Sequence, residues 1–517
     1  MLEKIINQRL YIVYLIPIII GSLSVLSFQP FNFSIINFLT IPSLFLILTY
    51  ISKKSKSNYR KKPYLKNLFL AGYFFGFGYF LFGNYWISYS LTFDESFKFL
   101  IPFSLILLPM FLALFFGFAS MIAGIFIKNN YSSILIFCVI FSFSDYLRSK
   151  LISGFPWNLW AYSWSWFTEI LQILNPIGLF AFNFLSFNLF CIPALFFFKK
   201  KNLYLIFSIL FTSFLCLYIY GSFVINKNDS DIKNLTKKSV NIKIVSPNFN
   251  LKYNLTSNEL ENLITKLVKY SEPNKKEPTV FVWPEGAFAG YYLDDLKKYK
   301  NLIKDNFSEK DLIIFGANTQ DLEKNKIFNS LIVINNNFDI IYRYNKKKLV
   351  PFGEFLPLQI YLNKLGLKKI TQGYGSFERG KTQKNFIYKD LNILPIICYE
   401  IIFTELFQAS NKNTNLIINI SEDAWFGNSI GPPQHFAKAI FRSIENNTFL
   451  IRSANKGISA IISNKGQIIR RIELNETGNI EYSLPILNNK IRNRNDLIFF
   501  ILLITYTLIF FTTRKKN

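Results

Sequence analysis

A chain of 517 residues that is 51% hydrophobic, contains 58 Phe and has only 17% charged residues falls outside the composition of an ordinary soluble protein. Its net charge of +26 does not imply a nucleic-acid partner, and none is expected, because many of the cations lie in short loops between apolar blocks. Those blocks fill most of the first 225 or so residues, whereas Lys227 to Asn495 reads as mixed-polarity sequence of a size suited to one large domain.

Taken in chain order, hydropathy predicts spans at Leu10–Phe28, Phe33–Ile51, Leu68–Ile87, Phe99–Ile127, Ser132–Tyr146, Phe167–Phe198 and Leu203–Ile225, and an eighth at Leu497–Phe511. The sixth is long enough for a span plus an interfacial piece. No small-residue cleavage site follows the first, which is therefore expected to be a retained anchor. Polar and charged residues within the spans are read as nearly absent, which argues against a transporter.

Basic residues cluster on alternate loops. Lys4 and Arg9 precede the first span, Lys53, Lys54, Lys56, Arg60, Lys61, Lys62 and Lys66 fill the second loop, Lys199 to Lys201 the sixth, and Arg514 to Lys516 the tail. All face the cytoplasm if the amino terminus does, since Lys and Arg are retained on that side. The opposite loops hold Gln29 to Asn32, Asp94 and Glu95, and the stretch around Phe155 to Tyr162, of which only the last has cations nearby, Arg148 and Lys150. Seven spans then place the large domain outside the cytoplasm. The expected organisation is 1–226 as a seven-span membrane region, 227–495 as an extracytoplasmic catalytic domain, and 496–517 as a closing helix with a cytoplasmic tail.

Cys138, Cys191 and Cys216 lie in apolar spans, where a thiol serves as a small hydrophobe. Cys398 is alone in the polar domain, so it is either buried filler or a reactive group. One Cys and the single His435 make no metal ligand set.

Within the domain, short strand-like runs alternate with helices: Val240–Val245, Thr279–Trp283, Leu312–Gly316, Leu331–Ile334, Ile340–Tyr344, Ile393–Ile397 and Leu416–Ile420. A capping box at Thr256 to Glu259 precedes Leu260, Leu263, Ile264 and Leu267 at helical spacing. This is an α/β layered domain. Glu285, Lys346 and Cys398 each follow one of these strands. Strand ends of such domains bring distant side chains to one crevice, where a carboxylate, an ammonium and a thiol supply a base, an oxyanion partner and a nucleophile. Taken singly, a strand-end Glu or Lys is usually solvated and a buried Cys usually structural. The ordered set carries the signal.

Glu, Lys and Cys in that order resemble the triad of the nitrilase superfamily, whose fold is an αββα sandwich. The stretches VWPEG at Val282 to Gly286, YNKKKLVPFGEFLP at Tyr344 to Pro357, ICYE at Ile397 to Glu400 and SEDAWFGNSIGPPQH at Ser421 to His435 resemble the apolipoprotein N-acyltransferase family. So do LSFQPF at Leu26 to Phe31 and GFPWNLWAY at Gly154 to Tyr162 in the membrane half. The resemblance implies an α-helical membrane bundle of about eight spans joined to a nitrilase-like αββα domain. It makes Glu285 the general base, Lys346 the oxyanion cation and Cys398 the nucleophile. Lys346 is preferred over Lys347 and Lys348 by its spacing to Glu354. Glu354, Tyr399, Glu400, Tyr253, Trp425 and Phe426 match supporting or substrate-binding positions. Two departures stand out: Tyr253 where a Trp is common, and Glu422 where an Asn is usual.

The implied reaction has two halves. Cys398 takes an acyl chain from a glycerophospholipid as a thioester, and the amino group of a diacylglyceryl-cysteine at an apolipoprotein amino terminus then accepts it. No metal or organic cofactor is required. Aromatics around Phe352, Phe355, Trp425 and Phe426 are candidate lids that keep water from the thioester, or else simply core. The resemblance places the chain, expected to be a monomer, in a bacterial inner membrane with its catalytic domain in the periplasm. A membrane-tethered amidase would share the triad without needing lipid access.

Overall fold

The computed structural model describes residues 9–57, 63–128, 132–197, 203–234, 239–253, 255–288, 290–357, 376–408, 413–487 and 496–515. Lys4, Arg60, Lys61, Lys62, Lys199, Lys200, Lys201, Lys516 and the side chain of Lys56 lie outside the described residues. Two compact units emerge. One comprises Met1–Ser88, Phe99–Val224 and Arg494–Asn517, the other Tyr89–Lys98 and Ile225–Asn493.

The first unit is helical, as chain in hydrocarbon must be if its backbone groups are to be satisfied internally. A π-helical turn Tyr11–Leu15 leads into α1 (Ile16–Ser24), followed by α2 (Asn37–Ser57), α3 (Pro63–Asn84), α4 (Ile101–Phe126), α5 (Ser132–Lys150), α6 (Leu179–Cys191) and α7 (Leu203–Asn234), of which the part from Ile225 on belongs to the second unit. Small residues let these helices touch backbone to backbone: a Cβ on Gly21 of α1 would stand 2.0 Å from the Phe75 carbonyl oxygen of α3, and one on Gly72 of α3 would stand 2.0 Å from Ser120 Oγ of α4. Among the described residues seven helices are long and apolar enough to cross a membrane, and Tyr11–Ser27 is a shorter apolar helix.

The sixth span does not run unbroken from Phe167, in keeping with a length that allows a span plus a further piece. Two four-residue helices, Thr168–Leu171 and Leu174–Ile177, come first, and Gly178, at φ +81°, breaks the chain before α6 begins at Leu179. Nor are buried polar groups nearly absent. Arg148, read as a loop cation, is buried on α5 and donates to Asp145 at 2.9 Å and to the Asn158 carbonyl at 3.0 Å, while Asn183 of α6 donates to Asp145 at 3.2 Å. Two charges that cancel and share hydrogen bonds can be buried where either alone could not.

The second unit holds two six-stranded sheets. One is ordered β12-β1-β2-β3-β4-β5, the other β11-β10-β9-β8-β7-β6. The strands are β1 (Ser239–Ser246), β2 (Thr279–Val282), β3 (Leu312–Asp321), β4 (Lys326–Ile334), β5 (Ile340–Asn345), β6 (Phe386–Tyr388), β7 (Leu391–Ile397), β8 (Leu416–Glu422), β9 (Phe449–Asn455), β10 (Ser459–Ile462), β11 (Ile468–Ile472) and β12 (Gly478–Pro485). Each sheet has a parallel centre, β1-β2-β3 in one and β7-β8-β9 in the other, flanked by antiparallel strands. The sheets face each other, with Ser453 Oγ of β9 donating to the Val245 carbonyl of β1 at 2.9 Å.

The predicted capping box is present: Thr256 Oγ1 accepts from Glu259 N, and Glu259 accepts from Thr256 N at 2.7 Å, which starts α8 (Ser257–Ser271). Such a cap contributes about 1 kcal/mol. Leu260, Ile264 and Leu267 of α8 pack on Phe281, Trp283 and Phe315 of the first sheet, each fully buried aliphatic side chain worth about 1.5–3 kcal/mol. The helix α9 (Gly431–Asn446) connects β8 to β9. Helices outside two facing sheets make the αββα sandwich. Last, α10 (Leu497–Lys515) belongs to the first unit.

Candidate functional site

The parallel strands β2, β7 and β8 end on one side of the sandwich, where the candidate residues meet. Trp283 N–H extends the β2 ladder to the Ile314 carbonyl at 2.8 Å, and Glu285 follows on the turn. A Cβ on Gly316 of β3 would lie 2.9 Å from Glu285 Cα, and one on Gly286, at φ +76°, would lie 2.3 Å from Glu422 Oε2. Glycine at both positions lets Glu285 settle deep in the crevice.

Lys346 lies just past β5, its N–H donating to the Asn329 carbonyl of β4 at 2.9 Å. Its ammonium is buried and donates to Glu285 Oε1 at 3.3 Å and Glu354 Oε1 at 3.0 Å. Burial pulls the Lys346 pKa down, but Glu285, Glu354, Cys398 and Glu400 all oppose it, and the net shift is upward. Asn329 Nδ2 donates to the same two oxygens, at 2.7 Å each. Glu354 is fixed in turn by Val350 N–H at 2.8 Å, in a turn where Phe352 adopts φ +63°.

Cys398 follows β7 and is itself at φ +47°, a left-handed conformation that L residues rarely adopt. Burial and the Glu285 charge push its thiol up, opposed by Lys346 and by the nearby Ser421 hydroxyl. Glu400 holds this turn to the exit of β5. Its carboxylate accepts from Ile397 N–H at 3.0 Å, Lys347 N–H at 2.7 Å, Lys348 N–H at 3.0 Å and the Tyr344 hydroxyl at 2.9 Å. Burial still raises its pKa against those donors. Lys348 Nζ, by contrast, turns to Glu405 at 2.9 Å and is half-buried.

Of the other candidates, Tyr399 is buried, with its ring 5.1 Å from Phe403 and its hydroxyl pushed up by burial. The Tyr253 hydroxyl is raised by burial and then by the charges of Glu422, Glu285 and Glu354. Trp425 is half-buried between Phe93, 4.9 Å away, and Tyr253, 6.4 Å away. Phe426 points elsewhere, buried with its ring edge-on to His435 at 5.2 Å. Phe352 is exposed.

Sequence reasoning missed Asn329, whose only signal is a carboxamide interrupting an otherwise strand-like run. It also left Glu422 without a role. Glu422 N–H donates to Glu285 Oε2 at 3.1 Å, and its buried carboxyl accepts from Ala424 N–H at 3.0 Å and from Asn455 Nδ2 at 3.1 and 2.9 Å. Burial raises that carboxyl well above its ordinary range, Asn455 and Ala424 oppose the shift, and the neighbouring Glu285 adds to it. Among the described residues no group of three or more His, Cys, Asp and Glu side chains is arranged to hold a metal ion.

A carboxylate, an ammonium with a second carboxylate behind it, and a thiol are groups that acyl transfer through a tetrahedral intermediate can use. Residues 20–192 match the apolipoprotein N-acyltransferase N-terminal domain, and residues 249–486 match the carbon-nitrogen hydrolase family. An apolipoprotein N-acyltransferase of Rickettsia prowazekii is 31% identical over 488 residues, 92% of this chain and 92% of its own. One of Brucella melitensis is 32% identical over 418 residues, 78% of this chain and 77% of its own. An amidase from Nesterenkonia sp. is a solved structure with 13% identity and a TM-score of 0.35, covering 48% of this chain and 90% of that one. From the relatives that span nearly its whole length, the chain belongs to the apolipoprotein N-acyltransferase family.

Proposed function

We propose that this membrane acyltransferase of lipoprotein biosynthesis works by a two-step route through a thioester on Cys398. The observation that carries the reading is the single crevice in which Lys346 bridges Glu285 and Glu354 beside the Cys398 thiol. A thiol held protonated by burial must lose its proton as it attacks, so a base has to act in the same step. Glu285 takes the Sγ proton while sulfur bonds to the ester carbonyl carbon of a glycerophospholipid. Lys346 stabilises the oxyanion, and the intermediate collapses by breaking the carbon–oxygen bond, with Glu285 returning the proton to the departing lyso-phospholipid. The neutral amine of the diacylglyceryl-cysteine then attacks the thioester, passes a proton to Glu285 and expels the thiolate, which is reprotonated.

The preferred setting is a bacterial inner membrane, with the enzyme a monomer and the 227–495 domain in the periplasm. Alternate basic loops support that orientation. Tyr253, Trp425 and the exposed Phe352 are assigned to acyl-chain contact, Glu354 and Glu400 to holding Lys346 and the nucleophile turn, and Phe426 and Tyr399 to packing around it.

Intact-mass analysis after incubation with phospholipid and no acceptor tests the route. One acyl chain should add to the wild type, be released by neutral hydroxylamine and be absent from Cys398→Ala. Adding a diacylglyceryl peptide with a free amino terminus should discharge it. Full-rate transfer with no hydroxylamine-sensitive adduct would mean direct transfer instead.

A further inference from the structure

The two-step scheme leaves unused a charged cluster directly behind the nucleophile. His435, the sole histidine of the chain, is fully buried on α9. Its Nε2 lies 3.3 Å from the Cys398 carbonyl oxygen, and its Nδ1 lies 3.0 Å from Asp423 Oδ1 and 3.0 Å from Arg452 Nη2. A carbonyl oxygen only accepts, so Nε2 carries the hydrogen. Arg452 also donates to Asp423 at 3.0 and 2.8 Å, and Ser421 Oγ donates to Asp423 at 2.7 Å. Burial and Arg452 lower the imidazole pKa against the pull of Asp423, which favours the neutral ring with its Nδ1 lone pair toward Arg452.

The partner of Nε2–H is the peptide that joins the nucleophile to Tyr399. That peptide begins at a residue in the left-handed region, where an L side chain needs external support to stay. A trans peptide is planar, and its C=O and N–H point in opposite directions. Fixing the Cys398 carbonyl toward His435 therefore aims Tyr399 N–H away from the cluster. Covalent connectivity keeps that N–H within reach of an adduct on Sγ.

We propose that His435 is a positioning residue, whose Nε2–H donation to the Cys398 carbonyl sets the plane of the Cys398–Tyr399 peptide for the tetrahedral intermediate. This rests on the thioester route above. Arg452, held by Asp423 and donating toward Nδ1, selects the tautomer, and Phe426 seats the ring. His435 touches no substrate, so its effect falls on steps that form an oxyanion and spares a displacement that forms none.

Two reactions of the full-length protein in mixed micelles of phosphatidylethanolamine and phosphatidylglycerol separate these steps: acylation of Cys398 without acceptor, and its alkylation by iodoacetamide, which has no oxyanion. His435→Asn keeps a donor near the Nδ1 position, whereas His435→Gln keeps one near Nε2. Acylation should fall about tenfold or more in His435→Asn, alkylation should stay within about twofold of wild type, and His435→Gln should recover most of the lost acylation. The inference is overturned if both reactions fall together, if Asn serves as well as Gln, or if neither variant loses acylation. Should the variants not fold, the lone histidine labelled with 15N in the wild type gives a direct reading. Protonated Nε2 with unprotonated Nδ1 is expected between about pH 5 and 8, and the opposite tautomer sinks the proposal. Absence of a wild-type thioester would remove the route and this inference together, whereas a normal wild-type adduct with either contrary result above removes the inference alone.

Discussion

At the residue scale, three consecutive lysines separate sharply. Lys346 is buried between two carboxylates, and Lys348 pairs with Glu405 at a half-buried position. Lys346→Ala should lower single-turnover acylation by about a hundredfold or more, as loss of a preorganised oxyanion donor does, while Lys348→Ala retains most activity. Equal losses would reassign the role. Glu422 gives a different kind of prediction, because burial raises its pKa. Its neutral form is the one the fold prefers. The stability it supports is fully present below the unfolded value of about 4.3 and is lost as pH rises through the folded pKa, because the unfolded chain releases the proton first. Glu422→Gln keeps a neutral side chain at every pH. The unfolding midpoint of the variant relative to wild type, in detergent, should therefore rise between about pH 5 and about pH 8. A gap that stays constant or shrinks would show that the carboxyl is buried as an anion.

At the scale of elements, α5 illustrates how a span tolerates charge. Asp145 and Arg148 sit one helical turn apart and are joined by Asn183 from α6, and the Arg148 guanidinium also holds the carbonyls of Phe155 and Asn158. The pair thus fixes the stretch after α5 onto the bundle. Removing one partner leaves a buried charge, a loss of about 3–5 kcal/mol. Arg148→Met should lower the thermal midpoint in micelles strongly, and adding Asp145→Asn should recover part of the loss, the non-additivity expected of groups in contact. A double variant no better than Arg148→Met would mean that the carbonyl contacts of Arg148 matter more than its charge. Windowed hydropathy misses this arrangement, since the three charges of this otherwise apolar 19-residue helix, Asp145, Arg148 and Lys150, all lie in its last six residues. The amphipathic α8 was legible for the opposite reason: its cap and its apolar face are both local.

At the scale of the whole molecule, the proposed sidedness rests on the basic loops. A reporter that is active only outside the cytoplasm, fused after Ile225, should be active, and one fused at the carboxyl terminus should not. Cytoplasmic activity after Ile225 would invert the orientation and remove the access to lipoprotein substrates. The chain itself gives the catalytic unit an unexpected member: Tyr89–Lys98, from between α3 and α4, groups with it, placing Phe93 against Trp425 and Tyr89 against Gly427. Read along the chain, that segment is the loop that holds Asp94 and Glu95, on the side expected to be opposite the cytoplasm.

Sequence alone determined whatever depends on near neighbours: which helices are apolar, where α8 begins, the seven strands of period-two or continuous apolar pattern, and the three motif residues that follow strands. Tertiary structure decided whatever depends on partners far along the chain. β9 was missed because Arg452 interrupts it, and only Asp423, 29 residues earlier, makes a buried guanidinium acceptable there. The adjacent Arg470 and Arg471 of IIRRI in β11 likewise hide an edge strand that is mostly open to solvent. Asn329 gained meaning only when β4 set it against Glu285 and Glu354, and Glu422 only when β8 brought it behind Glu285. Periodicity is a property of consecutive residues, and hydropathy counts each charge as a cost. Whether that cost is offset depends on a partner that folding alone brings within hydrogen-bonding distance.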